Sequence, residues 1–198
     1  MKVVLASNNP GKLEEFKKIF ASSGINITPQ ENFSVPEAEE TGLTFIENAI
    51  LKARNACKYT SLPSIADDSG LEVDALGGKP GIHSARFAGE NATQEKYINK
   101  LLSCLKNAPK PKRTARFRCV LVYLQHAEDP SPIIAQGTWE GQILTEPAGW
   151  NGFGYDPIFF VPEQNCSAAQ LSPEIKNKLS HRSKAINNLL HQLNPHDR

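Results

Sequence analysis

The sequence lacks any long apolar run. None of its stretches approaches the length of about 18 apolar residues that a membrane-spanning helix requires. The apolar start of the chain, residues 1–6, gives way to Ser7 and is too short for a secretory signal peptide. We therefore expect a cytoplasmic protein that does not insert into a membrane.

The cysteines also form no metal-binding pattern. The four of them are widely spaced and include no C-x-x-C pair: Cys57, Cys104, Cys119 and Cys166. This spacing matches no common zinc site. Scattered thiols of this kind are typical of proteins in a reducing cytosol.

Neither sign of charge is in excess. Lys and Arg together number 22 and Asp and Glu number 21, which gives a formal net charge of +1. Such a chain has no net field that would draw it onto nucleic acid or an anionic membrane. A nucleic-acid-binding module is therefore disfavoured, and any recognition of phosphate groups must be local.

Hydrophobic periodicity predicts an α/β fold. The elements expected in the first half are a strand at 3–6, a helix carrying Leu13, Phe16, Ile19 and Phe20, a helix at about 44–60, and strands at 64–66 and 71–73. Those expected in the second half are a helix capped by Asn91 or Thr93, a solvated connection at 106–113, hairpin strands at 117–124 and 133–139, and helices opened by Ser172 and Ser180. Because a hairpin stands among strand–helix units, the sheet should be mixed. A chain of 198 residues can bury a full core, and we expect residues 1–198 to form one domain.

Residues 7–12 have the composition of an anion site. This segment, Ser7-Asn8-Asn9-Pro10-Gly11-Lys12, follows a predicted strand and opens a helix. Backbone N–H groups, the positive end of a helix and one lysine therefore converge where a polyphosphate could lie. It is not a Walker A loop, which needs Gly in place of Ala6 and Ser or Thr in place of Leu13. A simple turn with an exposed lysine is the alternative.

Residues 67–70 carry two adjacent carboxylates. In the segment Asp67-Asp68-Ser69-Gly70 they stand beside a flexible glycine at the end of a predicted strand. Like charges are costly there unless a cation neutralises them. Mg²⁺ suits such a place, because it takes few carboxylates together with waters and phosphate oxygens. Glu39 or Glu40 could supply a second ligand, and a solvated turn is the alternative.

Two further segments could recognise a base. Residues 152–157, Gly152-Phe153-Gly154-Tyr155-Asp156-Pro157, join aromatic rings to glycines that permit close approach of a ligand. A purine could stack there, unless the rings pack into the core instead. Ser180-His181-Arg182, preceded by Lys176, gathers donors that can read a keto oxygen or hold a phosphate. Solvated basic residues at a helix start are the alternative.

In their order and spacing, these segments resemble the inosine/xanthosine triphosphate pyrophosphatase family, and its bacterial members most of all. The resemblance covers nearly the whole chain and rests on residues 7–12, 45–49, 66–71, 77–81, 153–157 and 180–182. Members often have Thr-Gly-Asn where this chain has Ser7-Asn8-Asn9. Because Asn tolerates positive φ better than other non-glycine residues, we expect the loop to keep its shape.

The resemblance implies a fold and an activity. The fold is two-lobed α/β, with a central mixed β-sheet flanked by helices and an active-site cleft between the lobes, in a homodimer. The activity is Mg²⁺-dependent hydrolysis of non-standard purine nucleoside triphosphates (ITP, dITP and XTP) to the monophosphate and pyrophosphate. Activated water would attack the α-phosphorus, and the site would accept the keto group at C6 and disfavour the amino group of adenine.

The resemblance also implies a role for each segment. Asp68 is the catalytic carboxylate, which binds metal or accepts a proton from water, with Glu39 or Glu40 as the second metal ligand. The phosphates would meet Ser7, Asn8, Asn9, Pro10, Gly11, Lys12, Ser69 and Lys52. The base and sugar would meet Phe153, Gly154, Tyr155 and Asp156, and the purine edge would meet Lys176, His181 and Arg182.

Two other functions use the same features. A related pyrophosphatase for pyrimidine or modified triphosphates would differ only in its choice of base. A nucleotide-binding sensor would use the loop at 7–12 without turnover. The carboxylates at 67–68 argue against a sensor, since an anion binder gains nothing from acidic groups beside phosphates unless a metal bridges them.

Overall fold

Seven strands form one mixed sheet in the structure, a computed structural model that describes residues 1–21, 23–90 and 92–193. The strands are β1 (Lys2–Ala6), β2 (Asn26–Pro29), β3 (Ser64–Val73), β4 (Thr114–Leu124), β5 (Ile133–Ile143), β6 (Phe159–Val161) and β7 (Cys166–Ser167). Their order is β2-β1-β3-β4-β5-β6-β7. β1 pairs in parallel with β2 and β3, whereas β6 pairs antiparallel with β5 and β7. The expected mixed sheet is confirmed.

The helices that flank the sheet begin where the sequence predicts. They are α1 (Pro10–Phe20), α2 (Phe45–Thr60), α3 (Gln94–Cys104), α4 (Pro173–Leu179) and α5 (His181–Leu193). Thr44 caps α2 by accepting the N–H of Glu47 at 3.2 Å, and Thr93 caps α3. Asn91, the other candidate cap of α3, lies outside the described residues. No helix in the described ranges combines the length and apolarity needed to cross a membrane.

Burial explains the run of apolar residues in β1. Val3, Val4 and Leu5 are fully buried, as expected of a parallel strand that is covered on both faces. α1 turns Phe16 and Phe20 toward the same core as Leu5. This packing fixes the strand–loop–helix unit that carries residues 7–12.

The chain divides into two compact units, in line with the expectation of two lobes. The first contains Met1–Asp68, Cys119–Gly137 and the described residues from His181 onward. The second contains Ser69–Arg118 and Thr138–Ser180. Each unit has its own apolar core. That residues 1–198 act as a single domain stays a prediction.

One boundary prediction at the acidic residues is wrong. Asp67 and Asp68 do not follow a strand that ends at residue 66, because β3 runs without a break from Ser64 to Val73. The segment Asp-Asp-Ser-Gly favours a turn locally, but β3 lies between β1 and β4, and pairing on both sides keeps it extended. The two carboxylates therefore belong to adjacent residues within a continuous, buried strand and not to a turn at its end.

The prediction of a solvated connection at 106–113 is also wrong at its last residue. Arg113 is buried, and its guanidinium donates to the backbone oxygens of Leu105 at 2.8 Å, Ile143 at 2.8 Å and Leu144 at 2.6 Å. These carbonyls lie after α3 and at the end of β5, where regular structure leaves acceptors unpaired. Arg113 satisfies them and starts β4 at Thr114, earlier than predicted.

Candidate active site

The loop at residues 7–12 joins β1 to α1. Pro10 is the first residue of α1, and the side chain of Asn9 caps the helix by accepting the N–H of Lys12 at 3.1 Å. The Ser7 hydroxyl accepts the N–H of Asn9 at 3.3 Å. Asn8, Asn9 and Pro10 are exposed. The start of an 11-residue helix is therefore presented where its backbone N–H groups can bind an anion.

The side chain of Asn8 fastens this loop to a neighbouring segment. Gln30, which is buried, donates to Asn8 Oδ1 at 3.0 Å, and Asn8 Nδ2 donates to Glu37 at 3.1 Å. Because the amide of Asn8 is hydrogen-bonded to two different residues, it has little freedom to rotate. The amide of Asn8 thus supports the shape of the loop.

Asp67 is the centre of a buried charge cluster in the first unit. Its carboxylate pairs with Lys12 and accepts Nε–H of Arg182 at 3.1 Å. Arg182 also pairs with Glu15, and the Cys119 thiol donates to Asp67 at 3.2 Å. Burial acts to raise the pKa of Asp67, but the charges of Lys12 and Arg182 outweigh it and hold the pKa far below its usual range. Asp67 therefore stays ionised and anchors two cations.

Asp68, the next residue of β3, has different surroundings. The ammonium of Lys52, from α2, donates to Asp68 Oδ1 at 2.7 Å and to Glu40 at 3.0 Å. Among the residues that the structure describes, none is within hydrogen-bonding distance of Asp68 Oδ2, which is buried. Burial outweighs the charge of Lys52 and raises the pKa of Asp68. Asp68 is thus more basic than a solvated aspartate.

These groups fit a magnesium ion. No cluster of three or more His, Cys, Asp or Glu side chains that could enclose a metal occurs in the described part of the chain. Mg²⁺ does not need one, because it usually takes one or two protein carboxylates and completes its shell with waters and substrate phosphates. Asp68 has one oxygen, Oδ2, without a hydrogen-bond partner among the described residues, and Glu40 pairs with Lys52, the same lysine that pairs with Asp68. Glu39, the other candidate ligand, is exposed.

A second group of predicted site residues lies in the second unit. The carboxylate of Asp156 is buried, and its Oδ2 accepts the N–H of Phe153 at 2.8 Å and the ammonium of Lys176 at 2.8 Å. That ammonium lies 4.7 Å from the centre of the Phe153 ring, within the range of a cation–π contact. The structure therefore brings a cation to an aromatic ring and a carboxylate that lie 20 or more positions before it in the chain.

The other residues near this group have mixed surroundings. Tyr155 is buried, and its hydroxyl donates to the backbone oxygen of Ser84 at 2.9 Å, so that its ring packs in the core. Gly154 has a φ of 66° and accepts a hydrogen bond from Gln94 at 2.7 Å. Ser69 follows Asp68 in β3 and is half-buried. Of the two aromatic rings, Phe153 is the less buried.

Comparison with known proteins identifies the family. The Ham1 family model matches residues 3–192. The chain belongs to the Ham1 family. It is 58% identical over 193 residues to the dITP/XTP pyrophosphatase of Thioalkalivibrio sulfidiphilus, with 98% of each chain covered. It is 57% identical over 192 residues to the dITP/XTP pyrophosphatase of Escherichia coli K12, covering 97% of this chain and 98% of that one.

Solved structures of Ham1 proteins share the fold. A HAM1 protein from Coxiella burnetii superposes with a TM-score of 0.91 at 49% identity, and 98% of each chain is covered. The Ham1 protein of Staphylococcus aureus superposes with a TM-score of 0.86 at 46% identity, again over 98% of each chain. The family resemblance and the α/β fold predicted from the sequence are both confirmed.

The residues predicted to contact the purine edge lie in different units of this Ham1 chain. Lys176 lies with Phe153 and Asp156 in the second unit, whereas His181 and Arg182 belong to the first. The guanidinium of Arg182 is buried and directed at the carboxylates of Asp67 and Glu15. Contact of Arg182 with a purine stays a prediction, and the observed contacts favour a role beside Asp67.

The sequence does not identify several residues around the candidate site. It indicates no role for Glu15, Gln30 or Glu37, and it does not distinguish Asp67 from Asp68 in the candidate magnesium site. The adjacency of Asp67 to Asp68 was visible, but its cationic partners come from residues 55 and 115 positions away. Nothing in the local sequence around Gln30 or Glu37 indicates that they hold the loop at 7–12.

Proposed function

We propose that this chain hydrolyses non-standard purine nucleoside triphosphates, ITP, dITP and XTP, to the nucleoside monophosphate and pyrophosphate, and so removes them from the nucleotide pool. The substrate class is supported by the relatives named dITP/XTP pyrophosphatase at 57–58% identity. The observation that carries the chemistry is the contrast between two adjacent carboxylates. Asp67 is paired with Lys12 and Arg182, whereas Asp68 Oδ2 is buried and has no hydrogen-bond partner among the described residues.

The phosphate chain would bind at residues 7–12. Backbone N–H groups at the start of α1 and the ammonium of Lys12 supply positive charge there. Asp67 holds Lys12 in place, so that the ammonium need not be ordered when the substrate arrives. Lys52, which is held by Glu40 and Asp68, adds a second cation. Ser69 would contact the phosphates from the next position in β3.

Asp68 would activate the attacking water. Oδ2, which has no hydrogen-bond partner among the described residues, is the oxygen placed to take a proton from water or to bind a metal. Bond formation between water and the α-phosphorus then releases pyrophosphate, whose charge Lys12 and Lys52 offset. Mg²⁺, bound by Asp68 and by Glu40 in preference to Glu39, would neutralise charge on the phosphates.

The base would be held by Phe153, Lys176 and Asp156. The Phe153 ring offers a stacking face, and Lys176 offers an N–H donor that suits a keto oxygen and opposes the amino group of adenine. Gly154 and the backbone of Tyr155 complete the segment. His181 would add its own donor to the recognition of the purine edge.

Phosphorus NMR of the products formed from inosine triphosphate with magnesium tests this function. We expect resonances of inosine monophosphate and pyrophosphate, and much slower turnover of adenosine triphosphate. Removal of magnesium with EDTA should abolish the reaction. Release of orthophosphate would identify a phosphatase instead, pyrimidine triphosphates as better substrates would identify a related specificity, and binding without products would identify a nucleotide sensor.

We further propose that the enzyme is a cytoplasmic homodimer, as the family resemblance implies. Light scattering at micromolar concentration should report twice the chain mass of 21.8 kDa. A mass of one chain over the whole concentration range would contradict the dimer without bearing on the reaction.

A further inference from the structure

Trp150 differs sharply from the other tryptophan of the chain. Its side chain is 99% exposed, whereas Trp139 is 3% exposed and packs against Phe117 and Phe159. Single apolar residues on a surface are common and need no explanation by themselves. The backbone around Trp150, however, is not that of a loose loop.

The residues on both sides of Trp150 are fixed to the core of the second unit. Asn151 donates its N–H to the backbone oxygen of Ala169 at 3.1 Å, and Ala148 donates to that of Pro157 at 2.8 Å. Gly149, with a φ of 84°, lies so close to Ala169 that an added Cβ would be 2.8 Å from its backbone. The turn is therefore held in a conformation that keeps the indole in solvent instead of against the protein.

The same turn is joined to the proposed base-binding group. Gly152 lies against Asp156, where an added Cβ would be 2.2 Å from the carboxylate. That carboxylate accepts the N–H of Phe153 and the ammonium of Lys176. Trp150 stands three residues before Phe153, in a turn whose backbone is fixed on both sides. An aromatic side chain on fixed backbone binds a flat ligand at low entropic cost.

We propose that Trp150 is a second aromatic contact for the purine base, in addition to Phe153. This inference rests on the proposed function, because it takes the ligand of the Phe153–Asp156–Lys176 group to be a nucleotide. Stacking of a base on one aromatic side chain changes affinity by about tenfold. Trp150 is not among the residues that the family resemblance implies, and it would strengthen binding of the base in this chain.

Acrylamide quenching of tryptophan fluorescence tests the contact without requiring turnover. Trp150 is accessible to acrylamide and Trp139 is not, so the quenchable emission reports on Trp150. We expect inosine monophosphate to protect this emission in a saturable manner, and inorganic triphosphate, which has no base, not to protect it. The variant Trp150→Phe should lose the quenchable emission, which verifies the assignment. Failure of inosine monophosphate to protect it would overturn the proposal.

Steady-state kinetics provide a second test of the proposed contact between Trp150 and the base. Trp150→Ala should raise KM for inosine triphosphate about tenfold with a smaller effect on kcat, because stacking binds substrate and transition state alike. Tyr59→Ala, which removes another exposed ring, is the matched control and should leave both constants unchanged. An unchanged KM in Trp150→Ala overturns the proposal. Protection that depends on protein concentration instead of nucleotide also overturns it, and assigns the indole to a contact between chains. Protection by inosine monophosphate without turnover of the triphosphate would refute the proposed function and leave this contact standing.

Discussion

We expect Asp68→Asn to lower kcat/KM for inosine triphosphate by about 10³-fold and to leave the free energy of unfolding unchanged or slightly higher. The loss of activity follows because an amide can neither accept a proton from water nor bind Mg²⁺ as a carboxylate does. The retention of stability follows from the raised pKa of Asp68. A carboxyl whose pKa is higher in the folded state favours folding below its unfolded pKa, and this contribution is lost as the pH rises through the folded pKa. At neutral pH the ionised carboxylate therefore weakens the fold, and Asn removes that cost.

The neighbouring carboxylate provides a matched control. Asp67→Asn makes the same chemical change one residue earlier, but it leaves Lys12 and Arg182 without their shared anion. It should lower the free energy of unfolding by about 3 kcal/mol, since two cations lose the buried carboxylate that they share. Urea denaturation of the metal-free proteins separates the two variants. Near-normal turnover in Asp68→Asn, or equal destabilisation of both, would remove Asp68 from the role proposed for it.

We expect Arg182→Ala to lower the free energy of unfolding by about 3–5 kcal/mol and to reduce activity on inosine and adenosine triphosphates by the same factor. The guanidinium is buried and pairs with Asp67 and Glu15, so its removal takes one cation away from each of these two carboxylates. Because these contacts do not involve a base, they cannot distinguish hypoxanthine from adenine. Lys12 pairs with the same carboxylate, Asp67, and its position should be less fixed without Arg182. This loss affects both substrates equally, because Lys12 is proposed to bind the phosphates.

Two variants control this experiment. Arg182→Lys keeps the charge but lacks the planar guanidinium that pairs with both carboxylates at once. It should therefore recover only part of the free energy of unfolding that Arg182→Ala loses. Lys176→Ala should instead narrow the preference for inosine over adenosine triphosphate, because Lys176 lies on the Phe153 ring. If Arg182→Ala narrows that preference at unchanged stability, Arg182 reads the purine and the role argued from its buried contacts is refuted. The measurements are urea denaturation and kcat/KM for both nucleotides.

Elements that depend on nearby residues were predictable from the sequence. The cap at Thr44, the apolar face of α1 and the Ser172–Pro173 start of α4 are set by interactions across three or four positions. β3 was misread because its turn-like sequence is overruled by pairing with strands that are distant in the chain. Arg113 was misread for the same reason, since its three acceptors become visible only once α3 and β5 are in place.

The candidate site shows the same division. The composition of residues 7–12 and 67–70 favours phosphate and metal chemistry, because that chemistry depends on residue type, and this assignment stays a prediction. The difference between Asp67 and Asp68 could not be predicted, because alternation along a strand does not say which neighbouring cation each side chain meets. Only the folded chain brings Lys12 and Arg182 to one carboxylate and Lys52 to the other.

The placement of Arg182 in α5 has a consequence for biosynthesis. A ribosome completes residues 7–12 and both aspartates early, but it adds the cation that pairs with Asp67 and Glu15 only 115 and 167 residues after them. A nascent chain therefore carries these two acids without Arg182 until α5 emerges, and the first unit cannot close before α5 has been synthesised. A translation product that is interrupted before α5 contains Asp67 and Asp68 but not the buried cation that pairs with Asp67. Maturation of this charge cluster is in this way coupled to the synthesis of α5.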